Sequence, residues 1–193
     1  MSGTQAASAA VFRRPAPADA MRLAREQFLA GERVEMGTLS ERLGINRTTL
    51  YRWVGDREAL MGTLLSDLVD EWLEVVRPQV GATGVEGLLE LVRRFLELGA
   101  SYEPLTTFTQ REPALALRVL TDREGAVTAK ANATISGLLS EMMPDRDVPD
   151  ETVRAIGLVA RTLVWANLAV DQEPDIEGVI ELSRTLLESA PRR

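Results

Sequence analysis

An all-α fold is predicted for this 193-residue chain, and three features of the sequence predict it. Apolar residues recur at three- and four-residue intervals almost throughout, which is the spacing of one helix face. Val, Ile and Thr nowhere alternate with polar residues over strand lengths. Proline and glycine fall between the periodic segments and divide them into about ten helices. A hydrophobic share of 45% is enough to build a core around those helices.

Residues 1–17 are small, polar and disorder-prone, and are expected to form an N-terminal arm. The arm has no apolar stretch of the signal-peptide kind, so a cytoplasmic protein is expected. Arg13 and Arg14 could reach a nucleic acid from it, as basic arms do; the plainer reading is a solvated tail. A first helix at 18–30 sets Met21, Ala24 and Phe28 on one face, with Pro17 suited to its first turn and Gly31 beyond its end. Two short helices, 36–43 and 47–54, are separated by Gly44. Gly55 and Asp56 stop the second, and the Asp56 carboxylate can cap the next. That next helix, 57–77, carries Leu60, Leu64, Leu68, Trp72 and Val76 on one ridge and Met61, Leu65, Val69 and Leu73 on its neighbour. The two ridges make a wide apolar face. Beyond Pro78 and a glycine-containing loop, 85–100 is amphipathic, and Pro104 and Pro113 bracket short helices at 105–110 and 114–120. A helix at 124–143 stops at Pro144, and helices at 150–170 and 175–189 complete the chain.

Composition excludes much chemistry. The chain has no Cys and no His, so thiolate catalysis, zinc fingers and Ser-His-Asp triads are out of reach. Gly81, Gly84 and Gly87 lie between helical segments and read as a flexible loop rather than a phosphate-binding one. Glu141, Asp145 and Asp147 could face a hard cation, but they flank Pro144 and read as solvated charge. No catalytic residue, cofactor or metal is expected. No run of about 18 apolar residues exists, so no membrane partner is expected. The net charge of −7 argues against a nucleic-acid binder on average. The average conceals an asymmetry: residues 1–58 hold nine arginines against seven acidic residues, while the remainder carries a net −9. Phosphate binding needs a local basic patch and not a basic chain.

The segment 36–54 has the dimensions of a helix-turn-helix: two short helices around a glycine turn. At about 100° per residue, Leu50 and Val54 share one face of the second helix and can pack on Leu39, Leu43 and Ile45. The opposite face receives Thr48, Thr49 and Arg52, with Tyr51 beside them and Arg47 at the helix start. Hydroxyls, a phenol and guanidinium groups suit base edges and phosphates in a major groove. A solvated bundle face, or a protein-binding one, is the alternative, but Glu, Lys and Ala would be favoured in a solvated face.

The run from Leu39 to Leu60, with Gly44, Thr49, Leu50, Tyr51, Trp53, Ala59 and Leu60 in their places, resembles the TetR family signature. The resemblance implies that Thr49, Tyr51 and Trp53 contact the DNA backbone. It implies that Arg47, Thr48 and Arg52, at variable positions, help choose sequence. Arg57 replaces a Lys of the pattern and keeps its charge for phosphate. Val54 replaces a second aromatic. Glu35 stands where Thr or Ser is common, and a carboxylate there repels phosphate. The resemblance further implies three segments: the arm 1–17, a three-helix DNA-binding domain 18–58, and a helical effector-binding and dimerisation domain 59–193. The expected function is that of a transcriptional regulator, more often a repressor in this family. It would bind a palindromic double-stranded operator as a homodimer and be released by a small molecule. The segment from Phe108 to Thr121 is similar to the TetR regulators of quorum-lactone breakdown.

Dimerisation has a second argument. Between Ala155 and Val170 the only charged residue is Arg161, and a helix apolar around most of its circumference is covered on more than one side. A second copy across a two-fold axis supplies that cover, with Ile156, Ala160, Leu163, Val164, Ile180 and Leu187 as candidate interface residues. The alternative is a central helix surrounded by its own bundle. Candidate effector contacts are the aromatic and amide groups of the middle helices: Phe95, Tyr102, Phe108, Gln110, Asn132, Trp165 and Asn167. Asn167 stands out because a buried amide needs a partner. A ligand there is expected to shift the helix 57–77 and so change the spacing of two recognition helices.

Overall fold

The structure is a computed structural model that describes residues 14–191. Most of the expected arm, including Arg13, lies outside the described residues. Among these, the regular elements are helices and no strand forms. In chain order they are α1 (Pro17–Leu29), α2 (Met36–Leu43), α3 (Arg47–Val54), α4 (Arg57–Val76), α5 (Gly84–Ala100), α6 (Glu103–Arg111), α7 (Pro113–Thr121) and α8 (Ala126–Met142). A last pair follows. The first, α9, begins as Asp150–Ala160, widens into a π-helical stretch Arg161–Ala166 and closes with Asn167–Ala169; the second, α10, is Ile176–Glu188.

The differences from expectation are local and have physical causes. Helices α6 and α7 start earlier than expected, because Pro104 and Pro113 sit inside their first turns. A first-turn proline has no N–H to leave unsatisfied and brings a helical φ with it. Helix α4 ends at Val76 and runs into a 3₁₀ turn at Arg77–Gln79 that contains Pro78. Helix α8 starts at Ala126, after Gly125 at its N-cap. The π-helical widening of α9 has no mark in the hydrophobic pattern.

Helix α4 is the axis of the molecule. Its first ridge is buried in full, from Leu60 through Leu64 and Leu68 to Trp72 and Val76. On the second ridge Met61, Leu65 and Val69 are buried and Leu73 is half-buried. The N-terminal part of α4 packs on α1, and its length lies against α5, α7 and α8. One core cluster joins α1–α3 to α4, α6, α7 and the π-helical stretch. A second joins the end of α4 to α5, α8, α9 and α10. Trp72 holds the joint between them, edge-on to Phe95 at 5.7 Å and to Tyr102 at 5.4 Å between ring centroids.

Candidate DNA-binding face and buried cavity

Helix α2 ends on Gly44, whose φ of 64° and ψ of 31° are left-handed. Glycine adopts that conformation without a Cβ clash, and the chain turns sharply enough to set α3 across α2. Asn46 then caps α3: its side-chain oxygen accepts from the Thr49 amide at 2.7 Å. Leu39 and Leu50 are wholly buried, with Leu43, Ile45, Trp53 and Val54 packed partly against the same core. Burying Leu50 fixes the rotation of α3. Arg47, Thr48, Tyr51 and Arg52 are therefore exposed, and Thr49 and Trp53 are half-buried at the edge of that face. Tyr51 is 47% exposed, unusual for so large a ring. Arg47 lies over α2, where a Cβ added to Gly37 would come within 2.8 Å of its Nη2. Helix α3 carries no carboxylate. Among the described residues no ion pair engages Arg47 or Arg52, so both guanidinium groups face outward with their donors free for phosphate or base edges.

Arg57 is placed differently. Its Nε donates to the Val34 carbonyl at 2.5 Å, and its two terminal nitrogens reach the two carboxylate oxygens of Glu112, each at 2.6 Å. Arg33 adds a second cation on Glu112 at 3.1 Å and also pairs with Glu35 at 2.7 Å. The charge expected to meet phosphate is thus given to a bidentate pair within the chain. Glu112 stands at the corner between α6 and α7, so the pair ties that corner to the loop before α2. Arg111 reinforces the tie by donating to the Gly31 carbonyl, and Arg118 pairs with Glu58 at 2.8 Å. Glu35 precedes α2 and makes no side-chain cap.

A cavity of about 80 Å³ opens between α4, α5, α7, α8 and α9. Its wall is almost wholly apolar, with Val69, Leu73, Leu91, Phe95, Leu138 and Ile156 among the lining residues. A smaller space of about 50 Å³ continues it and shares Val69, Phe95, Leu120, Val127, Ala131 and Trp165. Of the candidate effector contacts, Phe95 and Trp165 line this space. Asn132 points its Oδ1 at Gly157, which also lines it. The others are elsewhere. Tyr102 meets Trp72 edge-on, Phe108 packs edge-on against Phe28 at 6.2 Å, and Gln110 is exposed on α6. Asn167 donates through Nδ2 to the Glu173 carbonyl at 3.3 Å and so braces the loop before α10.

Among the lining residues that the candidates did not include is the one charged side chain. Arg161 lines the wall, at the first position of the π-helical stretch. Its signal in the sequence is its isolation as the lone charge between Ala155 and Val170. Burial pushes its pKa down, and the like charge of Arg123 adds to that.

The candidate interface residues divide by phase. Ile156, Val164, Ile180 and Leu187 are buried within the chain, while Ala160 and Leu163 are half-buried. Leu158 on α9 and Leu182 on α10 are the large apolar side chains those helices leave uncovered, at 53% and 48% exposure, with Val170 beyond the end of α9. Glu141 pairs with Arg77. Among the described residues no three metal-ligating side chains converge.

The C-terminal domain of tetracyclin repressor-like proteins matches residues 83–188. No curated protein gives a significant match to the chain. Among solved structures, the transcriptional repressor QsdR of the TetR family from R. erythropolis superposes with a TM-score of 0.83 at 25% identity, over 92% of this chain and 96% of that one. The TetR family repressor AlkX from Dietzia sp. strain DQ12-45-1b, implicated in biodegradation of n-alkanes, superposes with a TM-score of 0.61 at 21% identity, over 92% and 98% of the two chains.

Proposed function

The chain belongs to the TetR (tetracyclin repressor-like) family of transcriptional regulators, and on that premise we propose that it is a ligand-responsive repressor that binds a palindromic operator as a homodimer. The observation that carries this reading is α3: a helix locked by buried Leu50, with Arg47, Thr48, Tyr51 and Arg52 exposed and no acidic residue among them. Arg47, Thr48 and Arg52 read base edges in the major groove, while Thr49, Tyr51 and Trp53 hold the phosphate backbone. Arg57 acts indirectly, through its pair with Glu112. A second copy docks on the exposed side of α9 and α10 around Leu158 and Leu182, and sets two copies of α3 about 34 Å apart, one turn of DNA. Residues 18–58 form the DNA-binding unit and 59–193 the effector and dimerisation unit. The effector occupies the apolar cavity between α4 and α9, and release follows if it favours a different spacing of the two reading heads. The segment 108–121 supports a place beside the quorum-lactone regulators. The protein works in the cytoplasm, where its DNA is.

The test is fluorescence anisotropy on labelled DNA tiled across the gene's own upstream region and on random genomic fragments, at two salt concentrations. One palindromic tile should bind tightly. Raising salt from about 50 to 200 mM should weaken it by orders of magnitude, as phosphate contacts require. Tyr51→Ala and Arg52→Ala should each weaken it by about 1–3 kcal/mol and leave thermal stability unchanged. Failure on every tile and every genomic fragment would overturn the reading.

A further inference from the structure

Beside the cavity lie a donor, on the lining residue Arg161, and an acceptor, on Asn132 behind the lining residue Gly157, that nothing satisfies. Arg161 Nη1 and Asn132 Oδ1 are both buried and have no hydrogen-bond partner. They come from facing helices, α9 and α8, and meet over Gly157. A Cβ built there would lie 2.7 Å from the Asn132 oxygen and 3.5 Å from the Arg161 nitrogen. Any other residue at 157 would fill the recess between the two groups.

Three observations make this a built feature. An unpaired guanidinium N–H in an apolar wall costs free energy on folding, and an unpaired amide oxygen adds to the cost. Such groups persist where a partner arrives later. Among the described residues no carboxylate pairs with Arg161, and the charge that bears on it is Arg123, of its own sign. The π-helical stretch begins at Arg161. Such a widening inserts one residue per turn and redirects the side chains that follow, and it recurs at functional sites. Thr128 cannot serve as a replacement donor, because its hydroxyl already donates to the Asp122 carbonyl at 2.5 Å.

From this arrangement we propose that the cavity takes an acyl carboxylate bearing a hydroxyl close to the carboxylate. The proposal rests on the effector reading of the cavity and names its ligand class. The carboxylate accepts from Arg161 and supplies the negative charge the guanidinium lacks. The neighbouring hydroxyl donates to Asn132 Oδ1. The acyl chain runs from that head along Phe95 and Leu138 toward Trp165, in a wall whose other polar side chains are Thr128 and Thr134. A neutral apolar ligand would leave both groups unmet. A short polar acid would leave the apolar part of the space unfilled.

The experiment is titration calorimetry on the full chain without DNA, using 3-hydroxydecanoate, decanoate and methyl 3-hydroxydecanoate. The hydroxy acid should bind. The methyl ester, which removes the charge and keeps the chain, should bind at least tenfold more weakly, as loss of a charge-assisted hydrogen bond in a buried site requires. Decanoate should bind several-fold more weakly than the hydroxy acid, and Asn132→Leu should erase that difference. Arg161→Met, which keeps length and apolar packing, should remove the preference for acid over ester. Equal binding of acid and ester by the unmodified protein, or no binding of any of the three, would overturn the proposal even if Arg161→Met failed to fold. The same ligands added to the operator complex keep the two readings apart. Binding to the free protein without release of DNA would uphold the ligand class and count against the regulatory reading. Tight operator binding with no affinity for the acid would do the reverse.

Discussion

Glu112 is a residue whose role only its neighbours explain. In the sequence it is one acidic side chain before a proline; in the fold it receives Arg57 in a two-pronged pair and Arg33 on one of the same oxygens. Glu112 and Arg57 are largely shielded, with side chains 13% and 20% exposed. Substituting Glu112→Gln keeps the shape and removes the charge, so two guanidinium groups lose their counter-ion. The expected cost is about 1–3 kcal/mol, the range for losing a charge-assisted partner at a partly buried site. Urea denaturation should show it as a lower midpoint with an unchanged slope. A midpoint equal to that of the unmodified protein would mean that water replaces the pair at no cost. The outward-facing Arg47 and Arg52 are the contrast: without such a partner in the chain, their substitution is expected to act on DNA affinity and not on stability.

At the level of helices, α5 and α10 are bound by packing and by two ion pairs, Arg93 with Glu177 and Glu86 with Arg184. The hydrogen bond from Arg184 holds the Glu86 carboxyl below its ordinary range, and the same contact raises Arg184. Because the folded-state value of Glu86 is depressed, the pair contributes stability above the ordinary carboxylate pKa of about 4.3. That contribution is lost as pH falls through the lower folded value. The melting temperature of Glu86→Gln should therefore fall below that of the unmodified protein near neutral pH, and the two should converge as pH falls below the folded-state value. A difference that did not narrow on acidification would assign the effect to packing. Both groups are exposed, so the difference should be small and should shrink further in high salt.

Across the whole molecule, α4 connects the two ends of the proposed mechanism. It begins at Arg57, in the latch to Glu112, and lines the cavity through Val69 and Leu73. A ligand that displaces the middle of α4 pushes on an element whose first turn is tied to the loop between α1 and α2 and to the corner of α6 and α7. The second requirement is a partner copy, because one reading head has no spacing to change. Leu158→Arg with Leu182→Arg, placed on the exposed side of α9 and α10, should convert a dimer to a monomer in sedimentation velocity. Operator affinity should fall while the helical spectrum stays unchanged. A double variant that remained dimeric would move the interface to another face.

The sequence by itself determined the elements and the exposed face of α3. Hydrophobic period and Pro/Gly punctuation are local signals, and they located α1–α4 and the long C-terminal helices to within a few residues. The face of α3 was legible because one buried leucine in a short helix settles which residues point outward. Tertiary structure alone decided the rest. Period places a residue on a stripe but does not say which neighbour covers it, so Ile156, Val164, Ile180 and Leu187 could be assigned to a partner copy although the chain's own core takes them. A cavity is the space left between five helices, and its lining depends on their relative rotation. Phe95 and Trp165 reach it, whereas Tyr102 and Phe108 spend their rings on Trp72 and Phe28. Arg57 and Arg161 show the same limit from opposite sides. One carries a charge that a distant Glu112 satisfies, and the other a charge that nothing in the described chain satisfies. Which of these a charge becomes depends on contacts between residues far apart in sequence.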